Sequence, residues 1–154
     1  DSTGNQEVLP AGEFQLMSAG SGIAHSEFNA SNTHRLKFLQ IWIEPDVFDE
    51  EPGYQQKDFG QAPGLTEVIT PDGRDGTLKI KQNATLSQLL LASGVEIDLP
   101  VKTGRAYYLH LIEGELALDG VDLQPGDGMK LVKIDQLHAK ASTAVKALWF
   151  DLPG

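Results

Sequence analysis

The sequence predicts an all-β protein of sandwich or barrel type, on three observations. Apolar and polar residues alternate with period 2 through run after run. Turn formers break these runs every few residues, with 16 Gly and 8 Pro in 154 residues. Apolar stripes at helical spacing are scarce.

The elements follow in order. A first strand is expected over residues 6–9, stopped by the turn "PAG", and a second over 13–17, "EFQLM", stopped by the glycines of "SAGSG". The third, 23–28, is "IAHSEF". The fourth, 37–43, reads "KFLQIWI" and is apolar on both faces, so it is expected to be buried on both sides, with Gln40 or Trp42 lining an interior. Strands then follow at 65–70, 77–81, 86–91 and 95–99, separated by "PDGRDG", "QNAT" and "ASG". The last group is 106–112, 115–118, 129–132, 137–141 and 145–152. Residues 106–118 read as a hairpin, "AYYLHLIEGELAL", turning at Gly114.

Composition bounds the function. At this length and 40% hydrophobic content, the chain buries one domain or two very small ones. With no cysteine, disulfides, Cys-based zinc sites and thiol nucleophiles are excluded, and a reducing compartment is expected. A formal charge of -10 argues against direct contact with nucleic acid. No apolar run is long enough for a membrane span and no signal peptide is visible, so the expected location is cytoplasmic. The opening "DSTGN" is turn chemistry without an initiator Met, which leads us to expect a chain lacking its N-terminal segment.

Between residues 46 and 64 the composition turns acidic and rich in Pro and Gly, and this stretch is expected to be a linker. It separates two halves that resemble each other. "VLPAGEFQLMSAGSGIAHSEFNAS" in the first half parallels "VDLQPGDGMKLVKIDQLHAKAS" in the second, and each is followed by an apolar strand ending in Pro, "LQIWIEP" and "LWFDLP". The second half has front strands for which the first shows only the stub "DSTGN".

Among the candidate residues, His25 and Glu27 stand two apart on an expected strand, so both side chains can point into a barrel interior. An imidazole beside a carboxylate is half of a non-haem iron site, although the same pair can simply hydrogen-bond to each other or to backbone at a strand end. His34 sits among turn residues and is expected in a solvent-exposed loop. Ser18, Ser21 and Ser26 lack a nucleophile elbow, "GSG" and "GDG" lack a phosphate-loop context, and "DVFDEEP" reads as a solvated face.

The run "PAGEFQLMSAGSGIAHSEFN", followed by "LQIWIEP" and the closing "LWFDLP", resembles the pirin family, a two-domain branch of the cupin superfamily. The resemblance implies cupin-type β-barrels. Residues 1–45 would be the C-terminal half of a first, metal-site domain, 46–64 the linker, and 65–154 a complete second barrel without metal. In the family the first barrel holds one divalent metal, usually iron, through an HxH pair and the His and Glu of a later HSE. The later pair maps onto His25 and Glu27, and the HxH would lie roughly 15 to 20 residues before Asp1.

In the second half, His138 aligns with His25 and Lys140 with Glu27, while Pro100 and Lys102 fall where an HxH would stand. His110 and His138 can both face that interior beside two lysines, a poor cation site. For the whole protein the resemblance implies a quercetin 2,3-dioxygenase acting on flavonols, with Glu27 as ligand and proton acceptor. The alternative it implies is an iron-dependent module that contacts transcription factors or metabolic enzymes. The chain alone is expected to be inactive, and its open first barrel is expected to dimerise or to associate with the missing segment.

Overall fold

Two β-sheets built almost wholly from residues after 63 face each other across one apolar interior, and a two-stranded ribbon lies beside them. The computed structural model describes residues 1–2, 4 and 6–154. Its strands are β1 (Phe14–Ser18), β2 (Gly53–Lys57), β3 (Gly64–Thr70), β4 (Leu78–Lys79), β5 (Thr85–Leu91) and β6 (Glu96–Asp98). They continue as β7 (Arg105–Glu113), β8 (Leu116–Leu118), β9 (Val121–Leu123), β10 (Gly128–Val132), β11 (His138–Ala141) and β12 (Val145–Pro153). One 3-10 turn spans Arg74–Gly76, and no α-helix occurs among the described residues.

The larger sheet has the order β10-β7-β12-β5-β3-β4 and the smaller β6-β11-β8-β9. Alternation along β7 and β12 sorts their side chains between two cores. Tyr107, Leu109, Leu111, Ala147 and Trp149 enter the space between the sheets. Tyr108, Ile112, Leu148 and Phe150 face the other way and pack with Val68, Ile69, Leu78 and Leu86. Because both faces of the larger sheet are covered, "ALWF" can be continuously apolar. Phe14, Leu16 and Ile43 from the first half join this second cluster.

The hairpin expected at 106–118 does not form. β7 belongs to the larger sheet and β8 to the smaller, so Gly114 is a corner between sheets, with φ +89°. The tight hairpin is β8–β9, with Leu118 opposite Val121, and it turns on Asp119 and Gly120, both at positive φ. Asp-Gly suits that turn because both central residues need the left-handed region.

The first half also departs from expectation. Residues 6–9, 23–28 and 37–43 are not strands, because a strand needs backbone partners and these segments find none in a sheet. The Gln56 amide donates to the Val8 carbonyl at 3.0 Å, and next to the other two segments the Ser21 N–H donates to the Glu50 carbonyl at 2.8 Å and the Gln82 amide to the Glu44 carbonyl at 2.9 Å. The stretch expected as linker contributes β2, which pairs antiparallel with β1 from Phe14↔Lys57 to Ser18↔Gly53. Phe59 then meets Phe14 edge-on, with centroids 6.0 Å apart, and Lys57 lies over the Phe59 ring. A Pro- and Gly-rich composition concealed this strand because "GYQQK" carries only one large apolar residue.

Candidate functional site

His25 and Glu27 lie in the irregular stretch between β1 and β2, and both are exposed. The expectation that one strand aims them both into an interior is therefore corrected, for want of a paired strand at 23–28. The backbone just before His25 is held by the N-terminal stub, where Ser2 N–H donates to the Ala24 carbonyl at 2.7 Å and Ala24 N–H donates to Ser2 Oγ at 3.0 Å. Around the pair the chain shows apolar side chains to solvent. Phe28 and Trp42 are each 83% exposed, and Phe38, Leu39 and Ile41 are exposed too, so 37–43 is not buried on both sides and Trp42 lines no interior.

The remaining histidines divide between a loop and the second barrel. His34 sits in a surface turn as expected, its N–H donating to Ser31 Oγ at 2.9 Å and its carbonyl accepting from the Asn29 amide at 2.7 Å. His110 shares the outer face of β7 with Tyr108 and Ile112, and His138 alternates outward with Lys140 while Ala139 and Ala141 are buried. Neither faces the barrel interior, contrary to the sequence reading. The expectation failed because the interior face of each strand is taken by the fully apolar set.

On the smaller sheet's outer face His138 stands between two carboxylates. Nδ1 is 2.8 Å from Asp98 and Nε2 is 3.3 Å from Glu96, which also receives Lys140 at 2.8 Å. The hydrogen bond to Asp98, with Glu96 adding to it, raises the His138 pKa above its ordinary 6.5. Lys140 chiefly, then His138, lowers Glu96 below 4.5.

A raised His pKa stabilises the fold fully below the unfolded value and ceases to do so as pH rises through the higher folded value. Glu96 has the opposite sign: its contribution is present above its unfolded value and is lost as pH falls through the depressed folded one. The melting temperature of the native chain minus that of His138→Gln should thus be positive near pH 6 and shrink toward zero as pH rises through the raised folded value. A difference that stays constant across that range would show that the ion pair contributes nothing. Exposure keeps the effect small and salt-sensitive.

Among the described residues no three or more His, Asp or Glu side chains converge as a metal site. His25 and Glu27 have the donor chemistry that a divalent ion of the iron type takes, but two donors do not complete a coordination sphere. As they stand, these residues fit part of a metal site and not the whole.

A cavity of about 320 Å³ with both charged and apolar walls opens at one end of the second barrel, and the sequence did not reveal it. Leu65, Ser87, Pro100 and Trp149 contribute to its wall, together with Arg74, Lys102 and Arg105. The available signal was a charged residue in each of two core strands, Arg105 opening β7 and Asp151 in β12. These two pair at 2.5 Å and are both partly buried.

Residues 67–152 match the family model of the quercetinase C-terminal cupin domain, and residues 1–43 match that of pirin. The chain is 38% identical over 153 residues to quercetin 2,3-dioxygenase of Escherichia coli strain K12, covering 99% of this chain and 66% of that protein. It thus spans just under two thirds of the length of the curated relative it matches. The structure superposes on the bacterial pirin YhhW of Escherichia coli in complex with nickel(II) with a TM-score of 0.94 at 37% identity, over 98% of this chain and 66% of that one. The protein YhaK of Escherichia coli, at 24% identity and a TM-score of 0.60 over 68% of this chain and 48% of that one, shares the fold. No helix among the described residues is long and apolar enough to cross a membrane.

Proposed function

Since the chain belongs to the pirin family, with cupin-type β architecture, we propose that it is part of a metal-dependent dioxygenase of the quercetin 2,3-dioxygenase type, acting on a flavonol-like substrate. The observation that carries this reading is the 38% identity, over 153 residues, to a relative bearing that name. The superposition, over 98% of the chain, on a pirin in complex with nickel(II) supports a metal cofactor. In this reading residues 1–45 are the C-terminal half of the metal-site domain, 46–64 connect, and 65–154 form a second cupin domain without metal.

His25 and Glu27 supply two donors to one divalent ion, with iron the expected one, and further donors come from outside these 154 residues. A bound ion of this kind would polarise a flavonol hydroxyl or O₂ at its open positions. Glu27 would accept the flavonol hydroxyl proton on a carboxylate oxygen, and His25 would fix the imidazole side of the site. With only two donors, the 154 residues alone should hold the ion weakly and consume no O₂ with quercetin.

Nickel(II) titration followed through the imidazole resonances of the four histidines tests the assignment. His25 should broaden at the lowest metal concentration, and Glu27→Ala should raise the concentration required by about 10-fold or more. Earlier broadening of His138, beside Asp98 and Glu96, would move the metal to the smaller sheet and sink the proposal. Quercetin turnover by these 154 residues alone would likewise show the donor count to be wrong.

A second reading, a regulatory module that binds a protein partner, draws on the exposed Phe28, Trp42 and Phe48. Metal-dependent capture of a protein without O₂ consumption by the longer form would favour it.

A further inference from the structure

We propose that the mouth of the second barrel, formed by Leu65, Arg74, Ser87, Lys102, Arg105 and Trp149, binds a small aromatic carboxylate. The site is independent of the metal reading, since every residue that builds it lies between 65 and 151. At about 320 Å³ the cavity is at the lower end of ligand-binding volumes, room for a compact metabolite and not for an extended one.

Its charge is unlike that of the rest of the molecule. The protein carries a formal -10, yet this wall holds three cationic side chains against two carboxylates, Glu67 and Asp151. Arg74 is fully engaged, with Nε at 2.9 Å and Nη2 at 2.7 Å from Glu67 and Nη1 at 3.1 Å from Asp72. Arg105 gives Nε to Asp151 at 2.5 Å and Nη2 to the Asn83 carbonyl at 2.8 Å. Its Nη1 and the Lys102 ammonium have no carboxylate partner among the described residues. Arg74 is more than balanced by Glu67 and Asp72, and Arg105 is balanced by Asp151, so the cation left without a carboxylate is the Lys102 ammonium, the group that an anion would meet.

Beside it, Leu65 and Pro100 offer an apolar surface, while Trp149 borders the cavity as a buried ring, 2% exposed and stacked on Tyr107 at 4.9 Å and 7°. Tyr107 Oη in turn accepts the Lys102 N–H at 2.6 Å, which fixes the backbone that carries the free cation. Pro100 and Lys102 are the residues that the internal repeat set where an HxH pair would stand. A side-chain cation thus occupies the rim where a metal-binding barrel would have ligands. A planar acid with its ring on the apolar wall and its carboxylate toward Lys102 and Arg105 satisfies both halves of the cavity.

The test uses sodium benzoate and neutral benzamide at matched ionic strength, read through the two indole N–H signals in a proton–nitrogen correlation spectrum. Trp42→Phe assigns them, since Trp42 and Trp149 are the only tryptophans. Benzoate should shift the Trp149 signal saturably and benzamide should not. Lys102→Glu, an exposed change that leaves the core intact, should weaken benzoate by about 10-fold or more, the loss of one charge-assisted contact. Equal response to benzamide, a shift confined to Trp42, no saturation, or unchanged affinity in Lys102→Glu would each overturn the assignment.

Discussion

Replacing Trp149 by Ala should lower the unfolding free energy of the chain by about 3–5 kcal/mol, the range for truncating a large aromatic side chain in a packed interior. The ring is 2% exposed and lies at the centre of β12, opposite Leu109 of β7 and Ser87 of β5. Truncation removes its contacts with both neighbouring strands and its parallel stack on Tyr107, a pair worth about 0.5–1.5 kcal/mol beyond buried area. Calorimetry should record a melting temperature lower by about 2–4 °C for each kcal/mol lost in a chain of this size. Trp149→Phe should recover most of the loss. Trp42→Ala, at a side chain 83% exposed, should stay within about 0.5 kcal/mol of the native chain. Comparable losses at Trp149 and Trp42 would mean that the interior core is not what stabilises the protein.

The second half was legible because its strands bury one or both faces within the chain, so that period and pairing agree. Residues 86–91, 106–112 and 145–152 were expected as strands and fall within β5, β7 and β12. The first half was read from the same kind of pattern, but alternation records only which residues prefer burial and says nothing about whether a neighbour is present. "KFLQIWI" has a strand's composition and exposes Phe38, Leu39, Ile41 and Trp42 all the same.

Strand pairing is the other property that sequence order does not show, as the hairpin expected at 106–118 illustrates. β7 and β8 follow one another and belong to different sheets, while β2, concealed in a polar stretch, pairs across more than thirty residues with β1. His25 and Glu27 are singled out by residue type and spacing, both of which are local, and the structure leaves both exposed outside any strand. The cavity was missed because its charges, Arg74, Lys102, Arg105 and Asp151, are scattered along the sequence and meet only when β3, β5, β7 and β12 are assembled.

Gly114→Ala should damage the barrel, costing about 2–5 kcal/mol when left-handed backbone strain and overpacking are combined. Gly114 carries the chain from β7 in the larger sheet to β8 in the smaller, at φ +89°. An added Cβ would meet the carbonyl oxygen of Ala144, well inside contact distance, and that atom cannot rotate away as a side chain would. Relief would require moving the start of β12, whose Val145 is buried and pairs with Leu91. Gly120→Ala supplies the control. Gly120 also has a positive φ, +81°, but nothing lies within 4 Å of its added Cβ, so only the backbone term of about 1–2 kcal/mol applies. The two variants should separate clearly in urea midpoint with little change in slope. Equal costs at 114 and 120 would show that the corner does not press on Ala144, and that the two sheets are joined less closely there than the structure places them.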